Sequence, residues 1–304
     1  MKIPRVTWWL ALLVFLTVVV VLFLRVESQP SYNGRSLDSW LRDYGPNPIG
    51  NGLIHQHFSA PSRTTNGKST PVAIQAIGTN AIPYLLNAIQ RKDDPPWTVS
   101  INRYLAKWKL TKLAPLDAQS RREQAALGLF ALGTNAIPAL PDLSRLLTNN
   151  STACSVTHAM AGMGPVAIPV YQNAVANSNS WVAICGIWGL AQNRAASRVA
   201  VTNVLPWLNA ANSADVFITT WALGEIREPS EVVIPELMRM LSHADNGVRG
   251  AAIGALTKFG PIMTNRLSDL KQGLEKETDA QTQQSLKKLI DDLEKKSQVD
   301  ESVK

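Results

Sequence analysis

The chain has 304 residues, of which 45% are hydrophobic. This hydrophobic content is sufficient for a folded core, so we do not expect an intrinsically disordered chain. Its 30 basic and 23 acidic residues give a formal charge of +7. Such a modest surplus is compatible with an acidic partner or an anionic membrane surface, but a solvated protein surface explains it equally well.

The N-terminal segment, residues 1–30, contains a long apolar run. Residues 8–24 carry no charge, and Lys2 and Arg5 precede them. The run is long enough to span a membrane, and the residues after it form a poor cleavage site, which favours an uncleaved signal anchor over a cleaved signal peptide. The positive-inside rule then predicts a cytoplasmic N-terminus and a main domain outside the cytoplasm, in a periplasm. A buried core helix is the remaining alternative.

Residues 31–70 are predicted to form a short juxtamembrane helix followed by an irregular loop. Ser36 is a plausible N-cap for the helix. Residues 45–71 are rich in Gly, Pro, Asn and Ser, with neither helical nor strand periodicity. The loop contains His55 and His57, but no cysteine or carboxylate lies nearby, so we expect no metal site there.

A repeated phrase identifies the architecture of the remainder. AIGTNAIP occupies residues 76–83, ALGTNAIP occupies 131–138, and GMGPVAIP at 162–169 is a weaker copy. Glycine just past a helix permits a left-handed backbone, and proline is tolerated in the first turn of the next helix. Each phrase therefore predicts a helix, a glycine turn and a second, proline-led helix.

Alignment on this turn predicts about six helical hairpins, in an array over residues 71–277 with an insertion at 92–119. Most turns are preceded by a small residue and then a large apolar one. The predicted turn residues are Gly78, Gly133, Gly164, Ala191, Gly224 and Gly260. Residues 278–304 are predicted to form a charged capping helix, over about 279–296, and a tail.

These units resemble HEAT repeats, in particular the short bacterial type named after phycobilisome lyases. The marks are Ala-Leu-Gly at 131–133 and Ile-Pro at 137–138, with partial copies at 222–224 and 234–235. The resemblance implies an all-α solenoid, here preceded by one transmembrane helix. Hydroxylases of this repeat type hold two irons with His-Glu pairs, but His158 and His243 are each followed by alanine. We therefore expect no metal, no cofactor and no catalytic activity.

In HEAT arrays the second helices line the concave face, and this resemblance suggests three contact residues at matching positions: Tyr84, Trp207 and Glu236. A separate aromatic column contains Phe130, Trp188 and Trp221, three residues before their turn positions. Such a column is usually core, and the alternative is an exposed ladder for peptide or glycan contact. His158 is expected to be a packed histidine.

The insertion carries a basic, aromatic cluster that is a further candidate surface: Arg103, Lys107, Trp108, Lys109 and Lys112. A helix of this composition could lie on an anionic membrane or bind an acidic partner. Its alternative is a helix packed on the array with solvated lysines. Substitution of Lys107, Lys109 and Lys112 by glutamate distinguishes the two interpretations. If binding of the soluble domain to anionic liposomes is unchanged, the lipid-surface interpretation is wrong.

The sequence thus predicts a membrane-tethered scaffold for protein–protein interaction, with an unidentified protein partner. The alternatives are an envelope-organising protein acting through the basic helix and a lyase-like protein that handles a ligand. Nucleic acid is not an expected partner of an outward-facing domain without a basic stripe. Cys154 and Cys185 lie on predicted apolar faces and are expected to be buried thiols, although pairing remains open for an exported domain.

Overall fold

The computed structural model describes residues 29–44, 64–65, 68–91, 100, 104, 107 and 118–302. The predicted signal anchor, the His55 and His57 loop and most of the 92–119 insertion lie outside these residues.

The described chain begins with a small hairpin and a helix. Strands β1 (Ser31–Tyr32) and β2 (Arg35–Ser36) are antiparallel, and Ser31 pairs with Ser36. Asn33 and Gly34 both have positive φ in the connecting turn, which is the requirement of a type I′ hairpin turn. Helix α1 (Leu37–Tyr44) follows directly, and its Trp40 ring lies beneath the Arg35 guanidinium at 4.1 Å.

A second hairpin and a series of paired helices make up the rest of the described chain. Strand β3 (Thr64–Thr65) is antiparallel to β4 (Lys68–Ser69), within the segment predicted to be irregular. The helix pairs are α2 (Thr70–Ile77) with α3 (Ile82–Gln90), α4 (Ala118–Leu132) with α5 (Leu140–Leu147), α6 (Ala153–Ala161) with α7 (Ile168–Val175), α8 (Ser180–Gln192) with α9 (Val201–Val204), α10 (Ser213–Ile226) with α11 (Ser230–Met240), and α12 (Asn246–Thr257) with α13 (Leu267–Lys276). Helix α14 (Ala280–Ser302) ends the described chain.

The pairs stack into a solenoid. From α4 onward, the first helix of each pair packs against the first helix of the next, and α12 packs against α14 in the same layer. One continuous apolar core runs from Leu37 in α1 to Leu293 in α14. Contacts between sequence neighbours and a shared linear core are typical of helical repeat arrays. The predicted all-α solenoid class is therefore confirmed.

The predicted left-handed glycines are confirmed at four turns, where φ lies between 58° and 75°: Gly78, Gly133, Gly164 and Gly260. The predictions for Ala191 and Gly224 are wrong, because both residues are buried inside helices. The left-handed residues of these two turns are Arg194 (φ 49°) and Arg227 (φ 61°), three positions later. Each of these two helices thus continues for about one more turn than the glycine pattern indicated.

Gly224 has a packing role instead of a turn role. A Cβ atom at this position would lie 2.4 Å from Ala255 Cβ, so α10 and α12 approach closely only because the residue is glycine. Gly189 acts in the same way beside the Tyr171 ring, and Gly162 beside the Phe130 carbonyl. The small-residue column therefore sets the spacing between helices.

Two described stretches, 70–90 and 118–147, are long and apolar enough to cross a membrane by composition. Each contains a helical hairpin, broken at Gly78 or Gly133, and its buried side chains belong to the solenoid core. The core helices of a folded repeat array meet the same composition test, so these stretches are assigned to the array.

Candidate functional site

A groove crosses the layer of first helices between α10, α12 and α14. It has a volume of about 470 Å³ and is open to solvent along one side. Its lining comprises Phe217 and Trp221 from α10; Asn246, Gly247, Gly250, Ala251, Gly254, Ala255 and Lys258 from α12 and its C-cap; and Asp279, Gln281, Thr282 and Ser285 from α14 and its N-cap.

The floor of the groove is a glycine face of α12. Gly247, Gly250 and Gly254 follow one another at helical spacing, and a Cβ atom on Gly250 or Gly254 would meet no atom within 4 Å. Glycine inside a helix costs about 1 kcal/mol relative to alanine. Helix packing therefore does not require these two glycines, in contrast to Gly224, and they leave the α12 backbone open to approach from outside.

The two walls of the groove differ in polarity. Phe217 and Trp221 are half-buried and rest against the solenoid core. Opposite them, Gln281 and Ser285 are exposed and Thr282 is buried on the first turns of α14. An apolar wall facing a polar wall across an open backbone suits an amphipathic segment whose two sides differ in polarity.

Charged side chains lie at both ends of the groove. At the C-terminal end of α12, Lys258 Nζ lies 2.5 Å from Glu225 Oε1. At the other end, the Asp279 carboxylate accepts hydrogen bonds from the backbone N–H and hydroxyl of Thr282 (2.9 and 2.7 Å) and, at 3.3 Å, from Asn246 Nδ2. The hydrogen bonds from Thr282 are the main reason that the pKa of Asp279 lies below its ordinary value. Asp279 is therefore an ionised N-cap of α14 at neutral pH.

The predicted aromatic column is a set of ring contacts in which His158 takes part. The His158 ring lies 5.3 Å from Phe130, edge to face, and 6.2 Å from Trp188, nearly parallel. Trp188 is 6% exposed and Trp221 is half-buried. The core interpretation therefore holds at Trp188, and His158 is a packed side chain as expected.

The three second-helix candidates lie on three separate elements of the solenoid. Tyr84 lies half-buried on α3, whereas Glu236 lies on α11 and pairs with Arg239 at 2.9 Å, one turn along the same helix. Trp207 is predicted to lie on a second helix, but it lies in the 3₁₀ segment Leu205–Asn209 after the short α9. This difference arises because α9 ends before Pro206, and the following five residues tighten into a 3₁₀ turn.

Of the basic cluster, the structure describes Lys107, which is helical and exposed. Arg103, Trp108, Lys109 and Lys112 lie outside the described residues, so the cluster stays a prediction. Within the described ranges, no three His, Cys, Asp or Glu side chains lie close enough together to hold a metal ion.

Sequence reasoning missed the groove. The feature of the sequence that indicates the groove is the spacing of glycines over 247–254 on one face of a helix. A glycine in a helix can equally indicate a close packing contact with a neighbouring helix. Only the position of the neighbouring helices α10 and α14 distinguishes an open glycine from a packed one.

No family model and no curated protein matches the sequence. A solved complex of CpcE and CpcF, of the phycocyanin lyase from Nostoc sp. PCC7120, is 17% identical with a TM-score of 0.39, over 88% of this chain and 99% of the other. Human deoxyhypusine hydroxylase in complex with glycerol is 13% identical with a TM-score of 0.29, over 71% of this chain and 96% of the other.

The fold is HEAT-like. Its stacked hairpins, left-handed glycine turns and proline-led second helices carry that description. The expectation that the chain has no catalytic activity needs correction, because both similar structures are named as enzymes. Their low identities and TM-scores transfer no substrate or residue role to this chain.

Proposed function

We propose that this protein is a membrane-tethered interaction scaffold, and that the groove between α10, α12 and α14 binds a segment of a partner protein. The observation that carries the proposal is the open glycine face at Gly250 and Gly254, which forms the floor of the groove beside Phe217 and Trp221. These two glycines lower the stability of α12, and helix packing does not require them. Close approach of a partner backbone to α12 would explain why both positions are glycine.

The dimensions of the groove indicate the size of this segment. Helix α12 has 12 residues, which corresponds to a length of about 18 Å. An extended peptide of roughly five or six residues spans this distance at about 3.3 Å per residue. Its apolar side would rest on Phe217 and Trp221, and its polar side would face Gln281 and Ser285.

The charged ends would fix the direction of the bound segment. A partner carboxylate would approach Lys258, in exchange with Glu225, whereas a partner cation would approach Asp279 at the opposite end. Opposite charges at the two ends favour one orientation over its reverse.

The tether is the second part of the proposal. The apolar run at residues 8–24, with Lys2 and Arg5 before it, supports an N-terminal anchor with the solenoid outside the cytoplasm. Restriction to the membrane surface would raise the local concentration of the scaffold near a membrane-associated partner.

Filling the groove tests the binding proposal. Gly250→Leu and Gly254→Leu place large side chains in the groove, and Gly250→Ala and Gly254→Ala add one methyl group each. Gln284→Leu, at an exposed position of α14 that does not line the groove, is the matched control. Full-length variants are purified from native membranes in mild detergent, and co-purifying proteins are quantified by mass spectrometry. We expect a partner whose recovery is unchanged in the Gln284→Leu control, falls modestly in the alanine variants because each added methyl group enters the face that the partner backbone approaches, and falls at least tenfold in the two groove-filling leucine variants.

Two outcomes would contradict the proposal. Equal recovery of all co-purifying proteins with wild-type protein and with the Gly250→Leu and Gly254→Leu variants would show that the groove is not the contact. Native mass spectrometry addresses the ligand-handling alternative. That alternative would be favoured if wild-type protein carries a bound small molecule, Gly254→Leu protein lacks it, and no co-purifying protein is lost in the leucine variants. Circular dichroism melting curves establish that every variant is folded.

A further inference from the structure

We propose that Cys154 and Cys185 form an intramolecular disulfide that links adjacent hairpins of the solenoid. Cys154 lies in the first turn of α6 and Cys185 lies in the middle of α8, and the two Sγ atoms are 2.9 Å apart. They are the two cysteines of the chain. Both are thiols in this structure, and their sulfur atoms are in direct contact.

The surroundings of the two thiols differ, and this difference gives the oxidation an order. Cys154 is half-buried, whereas Cys185 is 2% exposed. The hydrogen bond with Cys154 and burial both raise the pKa of Cys185. Cys154 is therefore the sulfur that meets an oxidant first, and Cys185 completes the bond from inside the protein.

The oxidant is a low-molecular-weight or protein disulfide. The Cys154 thiolate attacks one sulfur of that disulfide, forms a mixed disulfide and releases one thiolate. Cys185 then loses its proton and attacks the Cys154 sulfur, which releases the second thiolate of the oxidant. The protein loses two protons and two electrons, and the oxidant disulfide is reduced to two thiols.

The position of the bond connects it to the aromatic column. His158 lies one helical turn after Cys154, and Trp188 lies nearly one turn after Cys185. The bond would therefore join α6 to α8 beside the stacked His158 and Trp188 rings, and would fix the spacing of two first helices that are otherwise held by packing.

Oxidation of the purified protein tests the proposal. Full-length protein in detergent is incubated with oxidised glutathione, denatured and treated with iodoacetamide. We expect intact-mass spectra to show the loss of two hydrogen atoms without alkylation, and a tryptic peptide pair joined through Cys154 and Cys185. We also expect the melting temperature to rise by about 5–10 °C, because the bond closes a loop of about 30 residues.

Single-cysteine variants test the order of reaction. In Cys185→Ser, Cys154 is expected to stop at the mixed disulfide with glutathione. In Cys154→Ser, Cys185 is expected to stay unmodified until the protein is denatured. The proposal is overturned if both thiols of the wild-type protein are alkylated after oxidation, or if the disulfide joins two molecules in a non-reducing gel.

Discussion

Arg249 of α12 and Glu277, at the C-terminal end of α13, form a two-pronged ion pair in which Nε lies 2.7 Å from Oε2 and Nη2 lies 2.8 Å from Oε1. The two side chains are only 13% and 4% exposed. Arg249 Nη1 also donates to the carbonyls of His243 and Ala244, both at 3.0 Å. This pair fixes the segment before α14 against the first turn of α12, and so holds two sides of the groove in place.

Removal of the charge on Glu277 is therefore expected to destabilise the C-terminal part of the solenoid. Glu277→Gln leaves the Arg249 guanidinium mostly buried without its counter-ion, and we expect the free energy of unfolding to fall by about 2–4 kcal/mol. Urea unfolding followed by circular dichroism measures the change. Glu225→Gln is the matched control, because the more exposed Glu225–Lys258 pair is expected to contribute less than about 1 kcal/mol. Equal effects of the two substitutions would contradict the role assigned to Glu277.

The same ion pair predicts a dependence of stability on acid. The hydrogen bond from Arg249 is the main reason that the pKa of Glu277 lies below its ordinary value of 4.5. A group with a lowered folded pKa stabilises the protein fully above its unfolded pKa, and this contribution disappears as the pH falls through the folded pKa. We expect wild-type protein to melt at a higher temperature than Glu277→Gln at pH 7, with the difference narrowing steadily below about pH 4.5. A difference that stays constant between pH 7 and pH 3 would exclude this account.

Two glycine-to-alanine substitutions are expected to have opposite effects. At Gly224 the new Cβ would lie 2.4 Å from Ala255 Cβ and 2.6 Å from Ala255 Cα, so α10 and α12 would have to separate. We expect Gly224→Ala to cost about 1–3 kcal/mol. At Gly254 the Cβ meets open space, so alanine is expected to stabilise the helix by about 0.5–1 kcal/mol. Chemical denaturation of both variants checks the signs, and destabilisation by Gly254→Ala would mean that this glycine is needed for packing.

The left-handed turns predict a further pair of opposite effects. Gly133 has φ 60°, so Gly133→Ala is expected to cost about 1 kcal/mol in backbone strain. Arg194 has φ 49° and is exposed, so Arg194→Gly is expected to gain up to about 1 kcal/mol. Melting temperatures of the two variants test the assignment. A loss of stability in Arg194→Gly would show that the side chain makes a contribution larger than the strain.

The turns illustrate how much of the fold the sequence could predict. At Gly133 and Gly164 the chemistry is local, because glycine is the residue that adopts positive φ without strain, and the pattern located these turns correctly. Arg194 and Arg227 adopt the same left-handed backbone conformation although they are not glycine. The residue type therefore gives no indication of a turn at these two positions. The glycine at 224 then suggested the wrong position, because close packing of α12 and a left-handed turn both select glycine.

The groove shows the same limit at the level of the site. The sequence places Trp221 in an aromatic column, but nothing local indicates that it borders a groove whose floor is an open glycine face. That relationship depends on how far α14 lies from α10, and the Arg249–Glu277 pair joins residues 28 positions apart. The hydrophobic periodicity of the sequence does not indicate long-range contacts of this kind. The stacking of neighbouring hairpins, in contrast, can be predicted from the sequence repeat alone.

Photo-crosslinking from the groove wall is the most direct test of the scaffold proposal. A photoreactive phenylalanine analogue is placed at Ser285, which lines the groove, or at the neighbouring exposed Gln284, which does not. The full-length variants are crosslinked in the cells that express them. The account predicts one discrete protein adduct from position 285 that is absent from position 284 and is lost when Gly254→Leu is added. Adducts of equal yield at both positions, or an adduct that persists after the groove is filled, would contradict it.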